Sequence, residues 1–229
     1  MNTVSVFADE NRVAEVTAPT AARRAAVEVG ALVAGLLVIM WAMPIVDAPY
    51  WTRYLLGFGL LVFMIACHGR DGVDRRDLGL RLDNFAAAVR QLAPPTLAIA
   101  VALVGCGWAL DSLQEPSRFL RRFAGVPAWG LVQHFMLLSF CHRRLRIVFG
   151  AGQAGVLATA LLFGLIHAPN PPLMLACTLA GGFWAWQFDR APNLFATALS
   201  HGILSTCLSS SLPKTILRST KVGYRYLVS

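Results

Sequence analysis

Long apolar runs recur along this chain, and short polar or charged segments separate them. Seven runs approach the roughly 20 apolar residues that a helix needs to cross a bilayer. They are about 25–46, 50–67, 92–110, 124–141, 152–168, 172–188 and 193–212. Backbone groups in hydrocarbon must be hydrogen-bonded internally, and the chain has no alternating strand pattern. The pattern therefore predicts an all-α fold, a polytopic transmembrane helical bundle with about seven membrane spans.

The polar segments at the two termini divide the chain into three regions. Residues 1–24 form a polar N-terminal tail, residues 25–212 form the bundle, and residues 213–229 form a basic C-terminal tail. Between the second and third runs, apolar residues alternate with charges over residues 78–92. That segment is expected to be either an amphipathic element on the membrane surface or a solvated loop.

Composition and charge agree with a membrane protein. The chain is 56% hydrophobic and only 14% charged, whereas soluble domains contain about 25% charged residues. The net charge of +8 comes from Lys and Arg residues in short loops, where basic residues set topology and meet anionic lipid. We therefore expect a multi-pass protein of the cell (inner) membrane, with a cytoplasmic N-terminus and no nucleic-acid partner.

Three of the apolar runs each contain a histidine. His134 lies in the fourth run, His167 closes the fifth, and His201 lies inside the seventh. An imidazole in a membrane-spanning helix usually faces the protein interior or a water-filled cavity. The pattern predicts one site assembled from three helices, although each histidine could instead be a packing residue that bonds a neighbouring helix.

Further polar residues extend this candidate site. Gln133 precedes His134, and Ser205 follows His201 by four residues, which places it on the same helix face. Prolines directly after His167 end its helix, so its ring lies where it can reach a cavity. Trp184, in the sixth run, is expected near a membrane interface.

The order and spacing of these segments resemble the CAAX protease and bacteriocin-processing (CPBP, or abortive-infection) family of intramembrane proteases. The second motif of that family, Phe-x-x-x-His, is matched by Phe163 and His167. Its third motif, His-x-x-x-Asn or Asp, is matched in part by His201 and Ser205. The resemblance covers about residues 78–212.

The first motif of the family, a glutamate pair with an arginine four residues after the second, is missing. Gln133 and His134 stand at the glutamate positions, and Leu138 stands at the arginine position. The resemblance implies that a glutamate and His167 activate water while His201 and its partner stabilise the oxyanion. A glutamine amide does not accept a proton at neutral pH, so the chain is a divergent member without the usual general base.

Histidine offers two substitutes for that base. His134 could accept the proton itself, because imidazole titrates near neutral pH, and then no cofactor is expected. Alternatively, three neutral imidazoles can hold a catalytic zinc ion with an open fourth position. In that case the metal ligands would be His134, His167 and His201.

Two functions follow from these alternatives. The first is a CPBP-like intramembrane peptidase that hydrolyses a peptide bond at the membrane. Its candidate catalytic residues are His167, His201, Gln133, His134 and Ser205. The second is a non-catalytic membrane protein that keeps the cavity to bind a peptide, a lipid or a partner protein. The expected partners are the lipid bilayer and a peptide or membrane-protein substrate.

Overall fold

The computed structural model describes the backbone of residues 4–229 and the side chains of residues 19–229, apart from those of residues 116, 118 and 122. Every regular element in this part of the chain is helical, and it contains no strand. The all-α fold class is therefore confirmed.

The helices follow one another with short connections. In chain order they are α1 (Val4–Leu37), α2 (Met43–Ile45), α3 (Tyr50–Arg70), α4 (Phe85–Ala109), α5 (Pro116–His134), α6 (Arg143–Phe149), α7 (Gln153–Ile166), α8 (Pro171–Phe188), α9 (Leu194–Ser211) and α10 (Tyr224–Leu227). Two π-helical stretches, π1 (Val38–Ala42) and π2 (Phe135–His142), join α1 to α2 and α5 to α6. Each of these pairs is therefore one continuous helical rod.

Fewer helices qualify as membrane spans than the sequence predicted. In the described part of the chain, four segments are long and apolar enough to cross a membrane: Pro19–Ile45, Tyr50–Arg70, Phe85–Ala109 and Phe119–Phe149. They correspond to the first four predicted spans. Among the later helices, α7 has only 14 residues, and α8 and α9 have 18 residues each but too low a mean hydropathy over that length. The protein thus has the helices of a membrane protein, but the expected count of about seven spans is not confirmed.

Successive long helices alternate in direction, which gives the bundle two ends. At one end, Arg70 of α3 and Arg144 of α6 contact Glu28 of α1, at 2.6 and 2.5 Å. At the other end, the backbone N–H of Gly223 donates to the carbonyl of Ala168, at 2.9 Å. These are called the Glu28 end and the Ala168 end below.

The connection between α3 and α4 does not form a separate surface helix. Residues 71–84 are turns and bends, and Leu78 within them is buried. The Ser139 hydroxyl donates to the carbonyl of Leu78, at 2.6 Å, and the N–H of Leu194 donates to that of Gly79, at 2.9 Å. This connection is therefore tied into the Glu28 end, and residues 85–92 of the segment singled out in the sequence form the first turns of α4.

The charged residues of this connection also pair with each other. Arg81 donates two hydrogen bonds to the carboxylate of Asp83. The hydrogen bonding from Arg81 lowers the pKa of Asp83 to about 2. Asp83 therefore stays ionised at any physiological pH, and the pair persists.

Helix α9 is enclosed by its neighbours, and the functional site is built around it. Twelve of its 18 residues are buried, against three of 21 in α3. Gly202 allows α5 to approach closely, because a Cβ atom there would lie 2.7 Å from Cγ of Pro127. The close approach of α5 to α9 brings two of the sequence-predicted histidines together.

Candidate active site

His134 and His201 form a direct contact in the buried centre of the bundle. His134 is the last residue of α5 and is fully buried, and His201 lies in the middle of α9 and is 9% exposed. The Nε2 atom of His134 lies 3.0 Å from Nδ1 of His201, and their ring centroids are 5.0 Å apart. One nitrogen must donate and the other accept, so the two rings share one proton. π2 begins at the next residue, and π-helical segments often occur at functional sites.

Trp184 of α8 packs against both rings of this pair. Its indole stacks on His201, with centroids 5.2 Å apart, and meets the ring of His134 edge to face, at 4.6 Å. The indole N–H donates to the hydroxyl of Ser200, at 3.1 Å, and that hydroxyl also bonds Thr96 of α4, at 2.7 Å. The expectation that Trp184 lies near an interface is wrong, since it is 3% exposed.

His167 stands at the C-terminal end of α7, next to the pair. Its Nδ1 lies 2.6 Å from the carbonyl oxygen of Phe163. A carbonyl only accepts, so Nδ1 carries the proton and Nε2 of the neutral ring is left as a basic nitrogen. The ring of Phe163 contacts His167 at 4.8 Å and His134 at 6.4 Å. His167 is half-buried, and Phe163 links it to His134.

The other two residues that the sequence placed in the site are not part of this cluster. Gln133 and Ser205 are half-buried, and neither bonds a histidine in the part of the chain that the structure describes. Gln133 is turned away because adjacent residues of a helix point about 100° apart. The hydroxyl that joins the cluster belongs to Ser200, one residue before His201.

The acidic residues that could replace the missing glutamates are engaged elsewhere. Glu28 is paired with arginines at the Glu28 end. Asp189 accepts from Arg146, at 2.6 Å, and lies 3.0 Å from Nε2 of His142. Among the residues with described side chains, no carboxylate contacts any of the three candidate histidines. A general base at this site would therefore have to be an imidazole.

The three histidines do not fit the zinc site that the sequence allowed. A three-ligand site needs one free nitrogen from each ring directed at a common point. Nε2 of His134 and Nδ1 of His201 share one hydrogen bond, so in either tautomer only one of these two neutral rings keeps a free lone pair for a metal. In the described chain, no group of three or more His, Cys, Asp or Glu residues is arranged to hold a metal ion.

Sequence reasoning missed Trp184, Ser200 and Thr96 as members of the site. A weak signal exists for Ser200, since it is a polar residue beside His201 in an apolar run. The sequence carries no comparable signal for Thr96, which reaches the site from α4, 104 residues away from Ser200. The contact depends on how α4 packs against α9.

Comparison with known proteins agrees with the motifs. Residues 119–207 match the family model described as type II CAAX prenyl endopeptidase Rce1-like. No curated protein and no solved structure matches the chain. The matched segment runs from α5 into α9 and contains all three histidines. The resemblance to the CPBP family is thereby confirmed over residues 119–207, where Gln133 and His134 stand at the positions of the family's glutamate pair.

Proposed function

We propose that this protein is a CAAX-protease-like intramembrane peptidase that hydrolyses a peptide bond with histidines in place of the family's glutamates. The observation that carries this proposal is the 3.0 Å contact between His134 and His201. The side chain at a glutamate position still meets the histidine of the third motif.

His167 is the general base of this proposal. Its Nδ1 proton is held by the carbonyl of Phe163, so Nε2 is the nitrogen that can take a proton from water. The oxygen of that water then attacks the carbonyl carbon of the scissile peptide. Imidazole suits this role because it exchanges protons readily near neutral pH.

The histidine pair stabilises the oxyanion that forms in this step. When Nε2 of His134 donates to Nδ1 of His201, the proton of His201 resides on its Nε2. That N–H is then available to the oxyanion, and such a donor inside a water-poor site acts strongly. The proton on Nε2 of His167 finally passes to the leaving amine, which restores the neutral ring and releases an acid and an amine.

His134 and Trp184 are positioning residues in this scheme. The hydrogen bond from His134 selects the tautomer of His201, and the stacked indole fixes the plane of its ring. Because both are buried, they hold His201 without competing with a substrate.

We also propose that the Glu28 end faces the cytoplasm and that the membrane is the inner membrane. Most of the arginines lie in the segments that meet at this end, and cytoplasmic loops carry an excess of Lys and Arg. His167 then lies toward the opposite, outer end of the bundle.

Cleavage by the purified full-length chain in lipid vesicles tests the proposal. Two peptide pools are supplied, farnesylated peptides with a CAAX terminus and the same peptides without the lipid, in water enriched in oxygen-18. We expect cleaved products with one heavy oxygen in each new carboxyl group. His167→Ala, prepared in parallel, excludes contaminating peptidases.

The proposal fails if neither pool is cleaved, or if His167→Ala cleaves as fast as the unaltered chain. Retention of uncleaved peptides on the protein, together with an absence of cleavage, would support the binding-only alternative.

A further inference from the structure

A cavity opens at the Glu28 end, and none of the three candidate histidines lines it. It has a volume of about 620 Å³ and lies between α1, the end of α3 and α6. Its walls carry seven charged side chains: Arg24, Glu28, Arg70, Asp71, Arg143, Arg144 and Arg146. Five guanidinium groups therefore share the space with two carboxylates.

The two carboxylates hold part of this positive charge in place. Glu28 is 6% exposed and binds Arg70 and Arg144. Asp71 lies 2.9 Å from Arg70 and 3.4 Å from Arg144 and from Arg24. Arg144 is further fixed by its stacking on a phenylalanine ring, at 3.7 Å. Arg144, whose side chain is only 4% exposed, is therefore held in place beside the other arginines.

Arg146 is paired with Asp189, which lies outside the cavity lining. The other four arginines exceed the two carboxylates of the cavity by two charges. Among the residues with described side chains, Arg143 makes a single hydrogen bond, a 3.4 Å contact with the carbonyl of Asp77. Arg24 reaches the carboxylates only at 3.4 and 3.8 Å, and its side chain is 55% exposed. Closely spaced guanidinium groups repel one another strongly near a low-dielectric medium, and a bound anion removes that cost.

We propose that this cavity binds the phosphate headgroup of an anionic membrane lipid. Arg24 and Arg143 supply the N–H groups that are least engaged within the protein. Arg70 and Arg144 form the fixed positive wall behind them. Guanidinium groups match phosphate oxygens in geometry as well as in charge.

The position and lining of the cavity favour a lipid over a free phosphate ion. It lies where three of the four candidate spans end, at the level of lipid headgroups. Its remaining lining is apolar: Ala21, Ala25, Val73, Ile147 and Ala151. Ile147 is also 54% exposed, which gives an apolar route from the cavity toward the acyl chains. Basic pockets between transmembrane helices are a recurrent form of headgroup site.

Binding of short-chain lipids to the full-length protein in neutral detergent tests this inference. The probes are dioctanoyl phosphatidate, dioctanoyl phosphatidylcholine, glycerol 3-phosphate and inorganic phosphate. Native mass spectrometry counts the retained molecules, and thermal unfolding gives the affinity. Phosphatidate is expected to bind more tightly than the other three probes.

Three single-charge variants locate the site. Arg143→Gln and Arg24→Gln each remove one cavity charge and should weaken phosphatidate binding by about fivefold, the effect of one basic residue near a membrane surface. Arg75→Gln removes the same charge from an exposed position of the α3–α4 connection, outside the cavity, and should leave binding within about twofold. Two cavity variants are used so that a folding defect in one leaves the other informative.

Equal binding of phosphatidate and phosphatidylcholine would overturn the inference. So would an equal effect of Arg75→Gln and of the two cavity variants. If inorganic phosphate or glycerol 3-phosphate bound as tightly as phosphatidate, the cavity would be a site for a soluble phosphate. That result would also overturn the inference that it binds a lipid.

Discussion

The indole ring of Trp184 lies nearly parallel to the imidazole of His201, with 13° between the ring planes. The same indole donates its N–H to Ser200, whose hydroxyl bonds Thr96. α8, α9 and α4 are thus joined through one polar chain directly behind the histidine pair. The packing of these three helices therefore fixes the orientation of the His201 ring.

Two substitutions at Trp184 distinguish the contribution of its aromatic ring to stability from that of its N–H group. Trp184→Phe keeps an aromatic face against His201 and loses one hydrogen bond, so the free energy of unfolding should fall by about 1 kcal/mol. Trp184→Ala empties the space behind the pair and should cost about 3–5 kcal/mol. Thermal unfolding in detergent measures both. Trp186→Ala, at a position 45% exposed, is the control. If it lowered the free energy of unfolding as much as Trp184→Ala does, the role of Trp184 behind the histidine pair would be contradicted.

The close approach of α5 to α9 depends on the absence of a side chain at Gly202. Gly202→Ala places a methyl group 2.7 Å from the rigid ring of Pro127, which should cost about 1–3 kcal/mol and slow cleavage by separating His134 from His201. Gly105→Ala is the matched control in α4, because a Cβ there meets nothing within 4 Å. That change should raise stability by up to about 1 kcal/mol. The two substitutions should change the free energy of unfolding in opposite directions. Equal losses of stability would contradict the close packing of α5 against α9.

Asn170 ties the C-terminal segment to the Ala168 end. Its Oδ1 accepts from the N–H of Leu173, and its Nδ2 donates to the carbonyls of Ser219 and Lys221, at 2.7 and 3.2 Å. Asn170→Asp keeps the acceptor that caps α8 and removes both donors. We expect faster amide hydrogen exchange over residues 213–229, with α8 unchanged. Unchanged exchange in that segment would show that these bonds do not hold it.

Alanine substitutions at His134 and at its neighbour Gln133 test whether His134 positions His201. A general effect of substitution in this part of α5 would appear at both positions. His134→Ala removes the partner of His201, so kcat should fall while KM changes little, since His134 is buried away from a substrate. Gln133→Ala should leave both constants near their original values, because Gln133 bonds none of the histidines in the described chain. Equal losses at the two positions would contradict the role of His134.

Removal of the oxyanion donor should have a larger effect. His201→Ala deletes the N–H that we propose stabilises the developing charge, and it should lower kcat by about 100-fold to 1000-fold. Initial rates with the cleaved peptide measure this loss. A loss of less than about tenfold would indicate that another group supplies the donor.

The helices were largely predictable because hydropathy follows directly from the side chains. The seven apolar runs correspond to helices in the structure. The count of spans was less predictable, since a run such as 152–168 became the 14-residue α7. A short apolar run has the same sequence pattern whether its helix faces lipid or is covered by other helices. Tertiary packing determines which of the two occurs.

Only the contacts within a single helix of the site were predictable from the sequence. An intrahelical contact such as Phe163 with His167 follows from a spacing of four. The choice of His134 over Gln133 as the inward residue depends on how α5 is rotated against α9. The ion cluster around Glu28 joins residues 116 apart in sequence, and no local pattern signals such a contact.

The central claim is that the basic nitrogen of His167 activates the attacking water, and chemical rescue tests it most directly. His167→Ala should lower kcat at least about 100-fold, and added imidazole should restore part of that rate by replacing the lost base. Imidazole should not restore His201→Ala to the same extent, because the oxyanion donor must be held in place by His134. A full rate in His167→Ala without imidazole would contradict the account.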